Sequence, residues 1–296
     1  MLGVVNLDKP VGPTSHDMVD MMRRLTGIRR IGHAGTLDPL ASGVLPILVG
    51  AATRFSAELT GGSKRYDAVF RLGARSATDD AEGPIEPVDG PLPDEQAVRI
   101  ALSSFIGTFD QVPPAFSARK VGGRTAYRAA RAGDPIDLPP RAVTIHGLDL
   151  LAYEPADDGA VVRVDLRCGA GTYVRALARD LGERLACGGY LLALRRTEAA
   201  GLTVNAAVTP QRLEALAADG LLEHAILPVG DLLSMPKITL DHDAADAFRN
   251  GSARLLVTSH AEGRVAVFEG SELVGIGSVS ASLLQPEKVV PRESSR

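Results

Sequence analysis

GHAGTLDPLASG, residues 32–43, holds one carboxylate, Asp38, and one imidazole, His33, among three glycines and a proline. Glycine permits backbone conformations that other residues avoid, and Pro39 fixes the chain just after Asp38. Such a stretch aims a carboxylate in one direction. On spacing alone, an aspartate beside Gly and Pro most often caps or satisfies a turn. Common catalytic templates do not fit. The chain has no G-x-x-x-x-G-K-[ST], no G-x-S-x-G and no H-E-x-x-H. Asp38 is followed by Pro39-Leu40, so it lacks the D-[TS]-G of aspartic proteases. Gly and Thr precede it, which is not the D-x-D-G-T order of aspartyl-phosphate enzymes.

Upstream, GVVNLDKP reads as a strand or extended arm. Thr14 and Asp17 form a capping box that opens a helix, Met18, Met21, Met22 and Leu25 recur on its core face, and Gly27 ends it. Arg23, Arg24, Arg29 and Arg30 cluster at its end. Downstream, GVLPILVG reads as a buried strand, AATRFSAELT as helical, and the alternating SKRYDAVFRLG (63–73) as a strand. Residues 76–98 carry seven acids and no Lys or Arg, with Gly and Pro throughout, and read as an exposed loop. Asp94 then caps a helix bearing Ala97, Val98, Ala101, Leu102 and Phe105 on one face. Residues 142–154 and 160–168 read as a strand pair across Asp157-Asp158-Gly159. GTYVRALARDLGERL, from Gly171, turns helical, residues 190–201 form a strand, and TPQRLEALAADG is a capped helix. From Pro236 the texture changes to short apolar runs (RLLVTS, RVAVFEG, ELVGIGSV) between Gly and Ser. This predicts a small, separate β-rich module, ending in a frayed PRESSR.

The 296 residues are 45% hydrophobic and 23% charged, enough apolar content for a sizeable core. The net charge of −4 argues weakly against a nucleic-acid partner. The charge is segregated, however: residues 113–141 hold Arg119, Lys120, Arg124, Arg128, Arg131 and Arg141 against Asp134 and Asp137, a possible phosphate-binding face. No run approaches the length of a membrane-spanning helix, and the N-terminus lacks the apolar core of a signal peptide. Cys168 and Cys187 read as reduced core thiols of a cytoplasmic protein, with no metal site.

GHAGTLDPLASGVLPILVGAATR resembles the signature of the TruB family of tRNA pseudouridine synthases. GVVNLDKPVGPTSHDMV resembles that family's N-terminal motif, and SKRYDAVFRLGARSATDDAEG its tyrosine strand. PPAFSARKVGGRTAYRAARAG resembles its RNA-gripping insertion. CGAGTYVRALARDLGERL and LRRTEAAG resemble its arginine helix and the strand that follows. The blocks occur in order across roughly residues 1–201. The 236–290 module resembles the family's C-terminal RNA-binding (PUA-type) domain only loosely.

The resemblance implies an α+β fold. Residues 1–235 would form a catalytic domain around a mixed, largely antiparallel sheet, with an RNA-gripping insertion at about 76–140. Residues 236–296 would form a small β-rich, PUA-like domain. It implies isomerisation of uridine 55 in the T loop of tRNA, without cofactor, by a monomer needing no protein partner. Asp38 would be the catalytic aspartate, attacking the sugar, attacking the base, or removing a ribose proton; the sequence leaves these three open. Arg175 would balance its charge through a bidentate fork. Tyr66 would stack on the flipped uracil or exchange a proton, and Tyr173 and Leu194 would line the base pocket. His33 would fill the vacated stack, and Arg119, Lys120, Arg124 and Arg128 would hold phosphates. Apart from the resemblance, Arg175 reads as a surface residue of an amphipathic helix, Tyr66 and Leu194 as packing, and the basic segment as a solvated face. Three rivals remain: a non-catalytic RNA binder on the same scaffold, a carboxylate-dependent hydrolase, and a guide-dependent synthase acting on ribosomal or small nuclear RNA. The short chain with no basic tail favours stand-alone action on tRNA.

Overall fold

The computed structural model of the chain describes residues 2–117, 119–121, 123–134, 136–251, 255–256 and 262–292. Strand β1 (Gly3–Lys9) leads to helix α1 (Ser15–Thr26), then β2 (Ile31–His33), β3 (Ala41–Val49), a 3-10 turn running into α2 (Ser56–Thr60), and β4 (Lys64–Leu72). A hairpin of β5 (Ala74–Ser76) and β6 (Ile85–Pro87) precedes α3 (Glu95–Ser103) and β7 (Gly107–Gln111). A minimal hairpin, β8 (Lys120–Val121) and β9 (Arg124–Thr125), precedes α4 (Ala126–Arg131). The long pair β10 (Arg141–Ala156) and β11 (Gly159–Cys168) follows, then α5 (Val174–Arg184), β12 (Gly189–Ala199), β13 (Leu202–Thr203), α6 (Pro210–Ala218) and β14 (Ile226–Leu227).

Ten of these strands make one sheet in the order β14-β1-β3-β12-β4-β11-β10-β7, with β2 and β13 attached at β3 and β12. All its strand pairs are antiparallel except β12 with β3, so the sheet is mixed and largely antiparallel, as expected. Caps set the helices that cover one face. Thr14 and Asp17 make the expected capping box, Gly27 closes α1 at φ 69°, and Asp94 and Thr209 cap α3 and α6. That face buries Met18, Met21 and Met22 of α1, Leu102 of α3, Leu177 and Leu181 of α5 and Leu213 of α6 against Leu45, Tyr66, Phe70 and Val164. The alternation of β4 puts Tyr66, Ala68, Phe70 and Leu72 on this side. Arg65 and Asp67 of β4 point to the other side, where Arg65 pairs with Asp165 and Arg163 with Asp67.

After β14 come β15 (Lys237–Leu240), α7 (His242–Arg249), β16 (Leu255–Leu256), β17 (Gly263–Glu269), β18 (Glu272–Ser280) and β19 (Leu283–Val289). They form a second sheet in the order β15-β17-β18-β19-β16. Helix α7, capped by Asp241, did not figure in the sequence reading; its eight residues sit among Gly- and Ser-rich strands that masked a short amphipathic pattern. The expected strand RLLVTS is described only at Leu255–Leu256, and the expected fraying of PRESSR falls, from 293 onward, outside the described residues.

Three expectations need correction. The module is not separate in its packing: Phe268, Leu273, Ile276 and Val290 share one apolar cluster with Val4, Val44, Leu48 and Phe55 of the main body. Glu58 of α2, its side chain 7% exposed between the two, accepts from Lys288 Nζ at 2.8 Å and Arg264 Nη2 at 2.7 Å. Nor is 76–98 simply an exposed loop, because Asp80 is buried and the backbone of Asp79 and Ala81 bonds to Leu191 of β12. The stretch read as an insertion, about 76–140, divides: α3 packs into the main core and β7 is the edge strand of the main sheet, which leaves the described residues of 112–140 outside that sheet.

Candidate active site

The loop from β2 to β3 is held by its own backbone oxygens. Five consecutive carbonyls, Gly35 to Pro39, all accept hydrogen bonds. Arg196 donates Nη2 to Gly35 O at 3.0 Å and Nη1 to Thr36 O at 3.3 Å. Ser15 Oγ donates to Leu37 O at 2.9 Å, Ala41 N to Asp38 O at 3.0 Å, and Gly12 N to Pro39 O at 2.8 Å. Arg196 lies on β12, is fully buried, and also donates Nε to Val44 O at 2.7 Å. The glycines permit this closeness. Gly43 has φ 102°, and a Cβ there would lie 2.2 Å from the Arg196 carbonyl oxygen. The turn chemistry suggested by the spacing is therefore present, and it serves to fix the Asp38 side chain.

Asp38 faces Arg175, the second residue of α5. Arg175 Nε lies 3.0 Å from Asp38 Oδ2, with the guanidinium 7% exposed and the carboxyl 40% exposed. The expected bidentate fork is absent. The other two nitrogens serve other acceptors: Nη1 reaches Thr78 O at 3.1 Å and Asp80 Oδ2 at 3.4 Å, and Nη2 reaches Phe116 O at 3.0 Å. A buried guanidinium must be paired and hydrogen-bonded to be tolerated, and this one bridges two aspartates. Asp80 in turn accepts from Thr78 Oγ1 and from Glu82 N at its other oxygen, Oδ1.

Asp38, Tyr66, Tyr173, Arg175 and Leu194, all singled out in the sequence, line one cleft of about 770 Å³, together with Asp80, Glu82 and Arg131. Burial pushes the Tyr66 phenol above its ordinary range, with Arg196 pulling the other way, so it stays a neutral donor at neutral pH. Tyr173 precedes α5, and its backbone N–H and C=O are both gripped by the Gln111 side chain, at 2.9 and 3.2 Å. Leu194 sits between Ala41 of β3 and Ala68 of β4. Burial, with Asp80 and Asp38 next, raises the Glu82 carboxyl against the opposing pull of Arg175 and Lys9. Lys9 donates to Pro10 O and Pro13 O beneath the loop, and burial lowers it to about 8 despite Asp38, Glu82 and Asp17.

His33 does not line this cleft. It ends β2 with Nδ1 buried and unpartnered, and burial, then Arg196 and His16, lowers its pKa and favours the neutral ring. Arg119, Arg124 and Arg128 also stand outside the cleft lining. Arg124 pairs with Asp134 at 2.8 Å in the open and Arg128 is exposed on α4. The Lys120 side chain lies outside the described residues. Among the described residues no three His, Cys, Asp or Glu converge as metal ligands, and no helix is long and apolar enough to cross a membrane. A larger cavity of about 930 Å³ opens between the second sheet and the main body, lined by Leu2, Phe268, Arg249 and Glu269, and none of the sequence-derived candidates borders it.

Arg196 and Gln111 went unremarked in the sequence, and Asp80 and Glu82 were read only as acids of an exposed loop. Asp80 had one signal: an acidic stretch free of cations must find its counter-charge far away in the chain, and α5 supplies it.

Residues 23–174 match the profile of the TruB family pseudouridylate synthase N-terminal domain. Residues 175–234 match that of the tRNA pseudouridylate synthase B C-terminal domain. The tRNA pseudouridine synthase B of Burkholderia pseudomallei is 42% identical over 296 residues, spanning 97% of this chain and 96% of that protein. The protein of the same name from Ralstonia nicotianae is 41% identical over 300 residues, spanning 97% and 94%. Among solved structures, a Cbf5-Nop10-Gar1 complex superposes with TM-score 0.75 at 26% identity, covering 98% of this chain and 85% of that one. An H/ACA RNP bound to a substrate RNA containing 2'-deoxyuridine gives TM-score 0.72 at 26% identity, covering 98% and 86%.

Proposed function

The chain belongs to the TruB family of pseudouridylate synthases, and from that premise we propose that it converts uridine to pseudouridine at position 55 in the T loop of tRNA, with Asp38 as the catalytic carboxylate. The observation that carries the reading is the Asp38–Arg175 contact of 3.0 Å at a cleft lined by Tyr66, Tyr173 and Leu194. The reaction is an isomerisation. The bond from ribose C1′ to N1 breaks, the uracil turns over, C1′ bonds to C5, and a proton is lost from C5 while N1 gains one. Its atom balance calls for no oxidant, phosphoryl donor or metal.

The target nucleotide is extruded from the RNA loop, at a cost of a few kcal/mol that the pocket offsets. Tyr66 stacks on the extruded ring, and Tyr173 and Leu194 close the pocket around it. Arg175 holds one Asp38 oxygen, and the carboxyl keeps enough exposure to meet the ribose or the base. As nucleophile it forms a covalent bond to one of these; as base it removes a ribose proton. The neutral Tyr66 hydroxyl exchanges a proton with the rotated base. His33, beside the loop, occupies the vacated stack. Arg119, Lys120, Arg124 and Arg128 hold phosphates, and the second sheet, PUA-like, also binds the RNA. The protein acts as a cytoplasmic monomer without a partner protein.

The test is pseudouridine mapping in tRNA incubated with the purified wild type and with Asp38→Asn. The wild type alone modifies position 55, and Asp38→Asn does not while still binding tRNA. Equal modification by the variant removes Asp38 from the mechanism. Modification elsewhere, or only with an added protein or guide RNA, overturns the stand-alone T-loop reading.

A further inference from the structure

Arg179 lies four residues after Arg175 on α5, so the two guanidiniums share one helix face, one turn apart. Each reaches to both sides. Towards the 76–83 turn, Arg175 Nη1 binds Thr78 O at 3.1 Å and Asp80 Oδ2 at 3.4 Å, while Arg179 Nη1 binds Asp79 Oδ2 at 2.9 Å. Three consecutive residues of that turn are thereby tied to two arginines. Towards the root of the 112–140 segment, Arg175 Nη2 binds Phe116 O at 3.0 Å and Arg179 Nη2 binds Val112 O at 2.9 Å. Asp180 steadies Arg179 from behind, accepting from its Nε at 2.9 Å.

Asp79 is also held in a backbone conformation that side chains with a Cβ seldom take, at φ 62°. Its amide donates to Ser76 O at 3.1 Å and its carbonyl accepts from Leu191 N at 3.0 Å. That left-handed step is what turns the chain so that Asp79 faces Arg179 while the next residue, Asp80, faces Arg175. A residue held this way persists only where its surroundings over-determine it, and the Arg179 contact is the part of those surroundings supplied by a side chain.

We propose that Arg179 and Asp79 are positioning residues for the reaction: their ion pair locks the left-handed turn that presents Asp80 to Arg175, and the Arg179–Val112 bond ties the root of the RNA-gripping segment to the same helix, so that Arg175 stays aimed at Asp38. Neither residue touches the cleft; both act through Arg175. The inference rests on the proposed function, since its readout is pseudouridine formation.

The experiment measures single-turnover rate and tRNA dissociation constant separately, on the full chain, for wild type, Arg179→Met, Arg179→Lys, Asp79→Asn and the double variant Asp79→Asn/Arg179→Met. Arg179→Met lowers the single-turnover rate by about 10-fold or more, the scale of a small misplacement at a reacting centre, with affinity changed by less than about 3-fold. Arg179→Lys, which keeps the charge but lacks the fork, falls between Met and wild type. The double variant is no slower than the slower single variant, because the two residues act as one unit. If Arg179→Met melts below the assay temperature, Arg179→Lys and Asp79→Asn carry the test alone, each slowing the rate at a temperature where both remain folded. Rates within 2-fold of wild type in every folded variant overturn the proposal, as does a loss residing wholly in affinity. Failure here with an active wild type leaves the proposed function standing; an inactive wild type instead sinks that function.

Discussion

The loop from Gly35 to Pro39 and the 112–140 segment wall the same cleft, yet they are built in opposite ways. In the loop every carbonyl has a donor, and the principal donors, Arg196 and Ser15, are themselves buried. The described part of the segment consists of two two-residue strands, a six-residue helix and an exposed Arg124–Asp134 pair. The first is a support that tolerates little displacement, which suits the carboxylate proposed to react. The second lends Phe116, Ser117, Thr125 and Arg131 to the cleft wall, and the phosphate contacts proposed for its cations act at longer range than a reacting group. On the proposed function, chemistry and grip fall to these two differently built regions, joined at Arg175 and Arg179 of α5.

The sharpest attack on the rigid half is Gly43→Ala. Its Cβ would meet the Arg196 carbonyl at 2.2 Å, between backbones of two adjacent strands that cannot both yield. Overpacking together with the φ 102° conformation costs about 3 kcal/mol or more. Urea unfolding reads this directly, and a variant as stable as wild type would mean that the loop is softer than its hydrogen bonds imply. Next in size is Asp80→Asn. The amide keeps an acceptor for Thr78 and the Glu82 N–H but turns a donor toward Arg175 Nη1, 3.4 Å away. The single-turnover rate drops by about 100-fold with tRNA affinity nearly unchanged; a loss confined to affinity would place Asp80 with the grip instead of the chemistry.

A smaller effect tests the underside of the loop. Burial lowers Lys9 from 10.5 to about 8. Between those two values the unfolded chain carries a proton that the folded chain lacks, so stability rises with pH there; below about pH 8 the folded protein bears the full cost of the buried charge. Cys168, raised by burial to about 11, and Tyr66, also raised, act in the opposite direction on the alkaline side. The difference between wild type and Lys9→Met removes those shared contributions. We expect the unfolding free energy of wild type to gain about 1–2 kcal/mol on the variant between about pH 7.5 and 9.5. A flat difference would show that Lys9 remains charged in the folded protein throughout.

The same contrast explains what the sequence could disclose. Short-range signals were legible: the Thr14–Asp17 capping box, the Gly27 stop, the period-two burial of β4 and the β10–β11 pair all follow from neighbours in the chain. Asp38, Tyr66, Tyr173, Arg175 and Leu194 were legible as a group only through family resemblance: apart from it, Asp38 read as a turn residue, Tyr66 and Leu194 as packing, and Arg175 as a surface residue of a helix. What stayed hidden depends on partners far apart in sequence. Asp80 lies 95 residues from Arg175 and was read as part of a solvated acidic loop. Arg196 drew no comment within its strand, yet it donates to carbonyls more than 150 positions earlier. The C-terminal module looked separate because composition shifts at Pro236, whereas its apolar face is completed by residues as early as Val4.

The mildest perturbation falls on the forgiving half. Arg124 is an exposed cation whose only described partner is the equally exposed Asp134, and Arg128 has none among the described residues. Such charges contribute through counterion release rather than through fixed geometry, so neutralising them weakens binding without altering the chemical step. Arg124→Gln and Arg128→Gln each raise KM for tRNA by about 3-fold near physiological salt, and each reduces the slope of log KM against log salt by about 1. Their kcat stays at the wild-type value, because the Arg175 and Arg179 bonds to Phe116 and Val112 hold the root of the segment whatever its tip carries. If either variant instead lowers kcat at saturating tRNA, the segment is part of the rigid support, and the division between chemistry and grip falls.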